Sequence, residues 1–184
     1  MRLMVGLQVQ HRMRPEISRL IRWRYPTLQD HASTHGRPHI QGMVADVMFL
    51  DHTQPEVPHE DAVAMGNQSK INEYEVEMAV RLADHLLHQE VMSGKSITIL
   101  TPYLGQLAHI RRALTERNMC ACLNERDAGD LSKLDLLDSR GDDSGKAAAR
   151  NQSLVVHAAT VDNYQGIVLR SHVTEPFFLT LMRP

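Results

Sequence analysis

Short apolar, β-leaning runs alternate with amphipathic stretches along this chain, and that alternation limits the fold more than any other feature. Residues 44–50 (VADVMFL) read as a strand. From Ser69 or Asn72, either of which can cap, Val76, Ala79, Val80, Ala83, Leu86, Leu87 and Val91 fall on one side of a helix that Gly94 stops. Residues 97–100 (ITIL) make a compact buried strand ending in Thr101-Pro102-Tyr103, and Leu104, Leu107, Ile110 and Leu114 then follow helical spacing. Residues 154–161 (LVVHAATV) form another strand, closing with Asp162-Asn163-Tyr164-Gln165-Gly166. Strand, helix, strand, helix, strand is the pattern of a parallel sheet flanked by helices, an α/β fold. Ligands of such sheets bind beyond the C-terminal strand ends. The polar signatures at 101–103 and 162–166 are therefore expected to share one rim.

Upstream, Pro15 suits the first turn of a helix, and Ile17, Leu20 and Ile21 continue it at helical spacing. It should end before Tyr25-Pro26, because a residue preceding proline is pushed out of the α region. Residues 27–42 and 51–68 read as loops, and 124–150, charged and poor in bulky apolar residues, as a mobile insertion or linker. No internal repeat is evident. At 184 residues, 42% apolar and 23% charged, the chain can bury a core and is not a wholly disordered polymer. It contains no apolar run of the length a transmembrane helix needs, so no membrane partner is expected. The N-terminal residues turn basic too soon for a secretory signal, and Cys120 and Cys122 are too few for a disulfide framework. An intracellular compartment, cytoplasmic or nuclear, is the expectation.

Charge is uneven. Residues 1–50 hold seven arginines against three acids, while the rest of the chain is net acidic. Arg12, Arg14, Arg19, Arg22 and Arg24 fall close together, which suits a nucleotide or nucleic acid, although charge alone fits a solvated helix face better. Gln10-His11-Arg12-Met13-Arg14-Pro15 is the sharpest local feature: an arginine fork and a helix start both favour phosphate.

Other chemistries find less support. No G-x-x-x-x-G-K-[ST] loop and no G-x-G-x-x-G is present; Gly94-Lys95-Ser96 lacks the preceding glycine and comes before a strand. His31, His35 and His39 are four apart, but Gly36 and Pro38 break any helix that would align them. His85 and His88 lack a third ligand, and Cys120-x-Cys122 lacks the C-x-x-C of structural zinc. No metal site is expected. A Ser/His/Asp or Cys/His catalytic set has no signature around it.

Four segments together carry a family resemblance. LQVQHRMRPEISRL (7–20) resembles the L-x-x-Q-[YH]-R-M-x-P-x-[IL]-S signature of superfamily-one helicases of the nonsense-mediated-decay type. SKINEYEVEMAVRLADHLL (69–87) is similar to their S-x-x-N-x-x-E-a helix, and SITILTPYLGQLAHIRRAL (96–114) to their T-P-Y-x-x-Q segment. VHAATVDNYQG (156–166) resembles T-V-D-x-[FY]-Q-G. The wording is nearest to helicases that carry NF-X-type zinc fingers.

The resemblance implies the second of two RecA-like (P-loop NTPase-type) domains, in partial form, over residues 3–166, with a divergent tail at 167–184. It implies ATP bound between two such domains and single-stranded RNA, or DNA, running across both. Gln10, His11 and Arg12 take positions that face ATP, with Arg12 reaching the γ-phosphate as the catalytic arginine and His11 near the adenine. Gln165 and Gly166 line the same cleft, while Thr101, Pro102 and Thr160 lie near the nucleic-acid backbone. Asn72 and Glu75 match family positions with a bracing role.

The departures are equally informative. The P-loop lysine and Mg-binding acidic pair belong to the first domain, so ATP and Mg are expected only together with it. After Gly166 the family's acidic pair is missing, and its last motif, with a second arginine, does not appear, so the last strands of the sheet are expected to be lacking. The sequence thus predicts a C-terminal helicase-core fragment of an ATP-dependent RNA helicase, inactive alone and acting in RNA surveillance or silencing. The alternative is a non-enzymatic RNA- or protein-binding remnant.

Overall fold

The computed structural model describes residues 8–37, 39–40, 42–58, 60, 69–88, 97–134, 155–164 and 177–180. The chain divides into two compact units, Met1–His52 and Thr53–Pro184.

The first unit is a small β-α-β arrangement. Strand β1 (Val9–Gln10) pairs in parallel with β2 (Gln29–Asp30), and helix α1 (Pro15–Ile21) lies between them in sequence. Proline at N1 has no N–H to leave unpaired, and Arg14 before it is extended (φ −61°, ψ 152°), as a residue preceding proline should be. A 3-10 turn, Ala32–Thr34, follows and is capped by the side chain of His31.

The expected strand at 44–50 does not form: the segment is irregular, and Val44, Met48, Phe49 and Leu50 are exposed. The physical reason is Asp46, which points inward with a side chain only 5% exposed. Its carboxylate accepts from the Ile40 backbone N–H at 2.9 Å, pairs with Arg14 at 2.8 Å and meets His39 Nδ1 at 2.5 Å. Burial alone would raise its pKa; these partners outweigh burial and hold it below the usual carboxylate value. Among the described residues of this unit only Ser18 and Thr34 are fully buried, so polar ties rather than an apolar core organise it.

The second unit is the α/β body. Its elements are α2 (Glu73–Leu87), β3 (Ile97–Thr101), α3 (Leu104–Glu116), β4 (Cys120–Cys122), α4 (Glu125–Lys133), β5 (Val155–Thr160), α5 (Val161–Tyr164) and β6 (Phe177–Thr180). The sheet order is β4-β5-β3-β6 with every pair parallel, so each connection must cross over. The parallel sheet flanked by helices is that of a partial RecA-like α/β domain.

Helix α2 starts where Asn72 accepts from the Glu75 N–H, and it buries Val76, Ala79, Val80, Ala83 and Leu86. Leu107, Ile110 and Leu114 of α3 are fully buried, as are Ile97, Ile99 and Val156 of the sheet. Each large side chain removed from water in this way contributes about 1.5–3 kcal/mol. Asn118, at φ +58°, occupies the left-handed position that ends α3, and the Met119 N–H returns to the Leu114 carbonyl at 2.9 Å.

Two segments differ from the sequence reading. Residues 125–133, read as part of a mobile insertion, form α4, anchored by the buried side chains of Asp127 and Leu131. Residues 177–180, read as divergent tail, form β6 and pair with β3 on the side away from β5. Val91, Gly94 and residues 135–150 lie outside the described residues.

Candidate nucleotide and nucleic-acid site

In the first unit the site is a short loop, residues 11–14, leaving β1. Gln10 holds it from within. Its carbonyl oxygen accepts from the N–H groups of Arg12 (2.8 Å) and Met13 (2.6 Å). Its amide donates to the Met13 carbonyl and to Asp30 Oδ1, both at 2.7 Å. All four hydrogen-bonding positions of this side chain are therefore used inside the protein. Asp30 also accepts from Arg22 at 2.6 Å. The Gln10 amide first, with Ser18 and Arg22, holds the Asp30 carboxyl below the usual carboxylate range.

The arginine cluster separates into two kinds. Arg14, its side chain 13% exposed, is bound to Asp46 and to the Arg37 carbonyl, and Arg22 is bound to Asp30. Arg37 in turn donates to the Arg12 carbonyl at 3.0 Å. The guanidinium of Arg12 is exposed and makes no hydrogen bond or ion pair among the described residues, and the same holds for Arg19 and Arg24. A planar, always charged fork on a braced loop suits a polyphosphate. His11, also exposed, lies against His31 with ring centroids 4.0 Å apart. His31 was not singled out by sequence as part of this site; it sits in a loop without periodicity.

In the second unit the rim forms at the C-terminal ends of β3 and β5, where Thr101 and Thr160 are direct partners in register. The two polar signatures thus start side by side. Both hydroxyls point inward, however. The Thr101 Oγ1 is buried and accepts from the Tyr103 N–H at 3.4 Å. Thr160 donates its hydroxyl to Asp127 Oδ1 at 2.6 Å and its N–H to Oδ2 at 2.9 Å. What faces solvent at this rim is Pro102 and Tyr103.

Beside them is a shallow open depression, lined by residues that include Glu56, Lys70, Asn72, Thr101, Tyr103 and Gln106. Lys70 lies over the Tyr103 ring at 5.7 Å and pairs with Glu56 at 3.3 Å. Gln106 is buried and latches the main chain of Asn72, accepting its N–H at 2.7 Å and donating to its carbonyl at 3.2 Å. Asn72 itself caps α2 and donates to the Gln54 carbonyl at 3.1 Å, a bracing role. Gln165 and Gly166 lie outside the described residues.

Among the described residues no group of three His, Cys, Asp or Glu side chains could hold a metal ion, and no helix is long and apolar enough to cross a membrane. Burial, with Cys120 adding to it, pushes the Cys122 thiol up to about 11, which keeps it protonated near neutral pH.

Comparison with known proteins agrees with this architecture. A family model described as an AAA domain, of the superfamily-one helicase type, matches residues 2–171. The chain is 37% identical over 111 residues to the NFX1-type zinc finger-containing protein 1 of Mus musculus, covering 60% of this chain and 6% of that protein. It is 35% identical over 111 residues to the Homo sapiens protein of the same name, with the same coverage. The helicase required for RNAi-mediated heterochromatin assembly 1 of Schizosaccharomyces pombe is 36% identical over 110 residues, 60% of this chain and 10% of that protein. The chain thus spans a small part of each relative's length.

Proposed function

This chain belongs to the AAA domain family of superfamily-one helicase type, and we propose that it is part of the second RecA-like domain of an ATP-dependent RNA helicase. The carrying observation is the contrast among its arginines. Arg14 and Arg22 are tied to Asp46 and Asp30, whereas Arg12 projects a guanidinium without a partner among the described residues. In this reading Arg12 stabilises the charge that develops on a γ-phosphate. His11 lies against the base, and Gln10 acts through the loop it braces. By the family resemblance, Gln165 and Gly166 are assigned to nucleotide binding as well.

The exposed arginine and imidazole fit a nucleoside triphosphate. The nucleotide, with its Mg ion, supplies the phosphoanhydride bond whose cleavage drives unwinding. This chain's residues bind and orient the phosphate and the base. The P-loop lysine and the acidic pair come from the first RecA-like domain, which is therefore the necessary partner. Single-stranded RNA, with DNA as the alternative substrate, runs over the rim of the second unit. There the buried hydroxyls of Thr101 and Thr160 set the strand ends, while Pro102 and Tyr103 meet the nucleic acid. The RNAi helicase among the relatives favours RNA, and roles in RNA surveillance or silencing follow from the same likeness.

The test is ATP hydrolysis. The 184 residues contain no P-loop, so the chain alone should show no RNA-stimulated turnover. A form that includes a first RecA-like domain should hydrolyse ATP and lose at least a thousandfold of that rate on Arg12→Ala. Turnover by the chain alone that Arg12→Ala abolishes would contradict the reading.

A second reading is a binding remnant that docks RNA or a protein without hydrolysis. It rests on the exposed Arg19 and Arg24 of the first unit. RNA binding that persists unchanged in Arg12→Ala, with no hydrolysis in any form, would favour it.

A further inference from the structure

The parallel pairing of β1 and β2 sets Gln10 opposite Asp30, so the residues that follow, His11 and His31, leave the two strands abreast. The His31 N–H donates to the Gln10 carbonyl at 2.9 Å, and the side chain of Gln10 holds the loop carrying His11. The two rings lie 4.0 Å apart, tilted by 31°, and both residues are exposed. His31 is held a second time. Its Nδ1 caps the 3-10 turn by accepting from the Ser33 N–H at 3.1 Å, and it lies 2.9 Å from the Ser33 hydroxyl. An Nδ1 that accepts in this way leaves the ring proton on Nε2 and fixes the ring's rotation.

A solvent-exposed ring pair gains little by itself, yet this one is fixed from both sides and stands one residue from Arg12, whose guanidinium has no partner among the described residues. We propose that His31 backs the His11 ring, so that the two imidazoles present one preorganised stacking face for the base of a nucleoside triphosphate. This rests on the reading of Arg12 and His11 as nucleotide ligands and adds His31 as the residue that holds the His11 ring. Holding the His11 ring beforehand removes the cost of ordering it when the base arrives. Stacking on a ring face is available to any purine. His31 is a positioning residue, since it acts through His11.

The experiment follows the histidine ring C2–H resonances of the 184-residue chain by NMR, with ATP and inorganic triphosphate titrated separately. Two substitutions divide the roles of His31. His31→Asn keeps a capping acceptor and removes the ring; His31→Phe keeps a ring and removes the acceptor. The wild-type chain should bind ATP about five- to tenfold more tightly than triphosphate. His31→Asn should bring the two probes to equal affinity, His31→Phe should keep most of the preference, and Arg12→Ala should weaken both probes alike. Persistence of the full preference in His31→Asn overturns this inference while Arg12 stands. So does equal binding of the two probes by the wild type. Failure of the wild type to bind either probe, both alone and in a form that includes a first RecA-like domain, overturns the triphosphate reading and this inference with it.

Discussion

The buried carboxylate of Asp127 accepts from both the backbone N–H and the hydroxyl of Thr160, at 2.9 and 2.6 Å. It also accepts from the side-chain amides of Asn163 at 2.7 Å and Asn124 at 2.6 Å. One side chain therefore ties the start of α4 to the end of β5 and to α5, next to the rim. Four neutral donors from the described residues satisfy it.

Removing that carboxylate strands several buried donors together. Asp127→Ala should destabilise the second unit by about 3 kcal/mol or more, because each unpaired group costs its own desolvation. Thr160→Val removes only the hydroxyl and should cost about 1–2 kcal/mol. Urea unfolding monitored by far-UV circular dichroism measures both. Midpoints that match the wild type for Asp127→Ala would show that the tie adds no stability.

The same contacts explain what was legible in the sequence. Helices α2 and α3 and strands β3 and β5 announce themselves because their buried side chains are apolar and evenly spaced. Helix α4 does not: of its two buried side chains, one is the carboxylate of Asp127 and only Leu131 is apolar. Its signal was the cap, in which the Asn124 side chain accepts from the Asp127 N–H at 2.7 Å, the spacing of a helix start. At 44–50 the relation is reversed. The apolar residues have the pattern of a strand, but the acid among them is the residue that turns inward. The Gln10–Arg12 loop was visible through its motif. Its supports, Asp30, His31 and Asp46, come from segments without periodicity, and only tertiary pairing reveals them.

Gln106 accepts the N–H of Asn72 at 2.7 Å and donates to its carbonyl at 3.2 Å, alongside the Val76 N–H that opens the helix. Gln106→Leu keeps the volume and leaves the buried Asn72 N–H unpaired, while the Asn72 carbonyl keeps the Val76 N–H at 3.1 Å, so a loss of about 1–2 kcal/mol is expected. Amide exchange at the first turn of α2 should rise together with the fall in global stability. Unchanged protection there would mean that Asn72 finds another partner.

The first unit should be acid-sensitive through Asp30. Its folded carboxyl titrates below the ordinary value, chiefly because the Gln10 amide donates to the charged form. A depressed acid contributes its full stability above the unfolded value of about 3.9 and loses it as pH falls through the lower folded value. The amide resonances of Arg12 and His31 should therefore shift cooperatively below about pH 4. In Asp30→Asn that acid transition should disappear, with the loop already loosened at pH 7. An identical acid profile in the two proteins would remove Asp30 from this role.

RNA binding should separate the free arginines from the structural ones. Arg19 and Arg24 are exposed and make no ion pair among the described residues, whereas Arg22 is held by Asp30 at 2.6 Å. If the first unit contacts single-stranded RNA through phosphates, each contact contributes about 0.7 to the slope of log affinity against log salt. Replacing Arg19 and Arg24 together by Ala should then lower the slope by about 1–1.5 and weaken binding uniformly across sequences. Arg22→Ala should leave the slope nearly unchanged while loosening the loop that Asp30 supports. Fluorescence anisotropy with an oligouridine probe over a salt series distinguishes the two. A slope that falls for Arg22→Ala and holds for the double variant would invert the assignment.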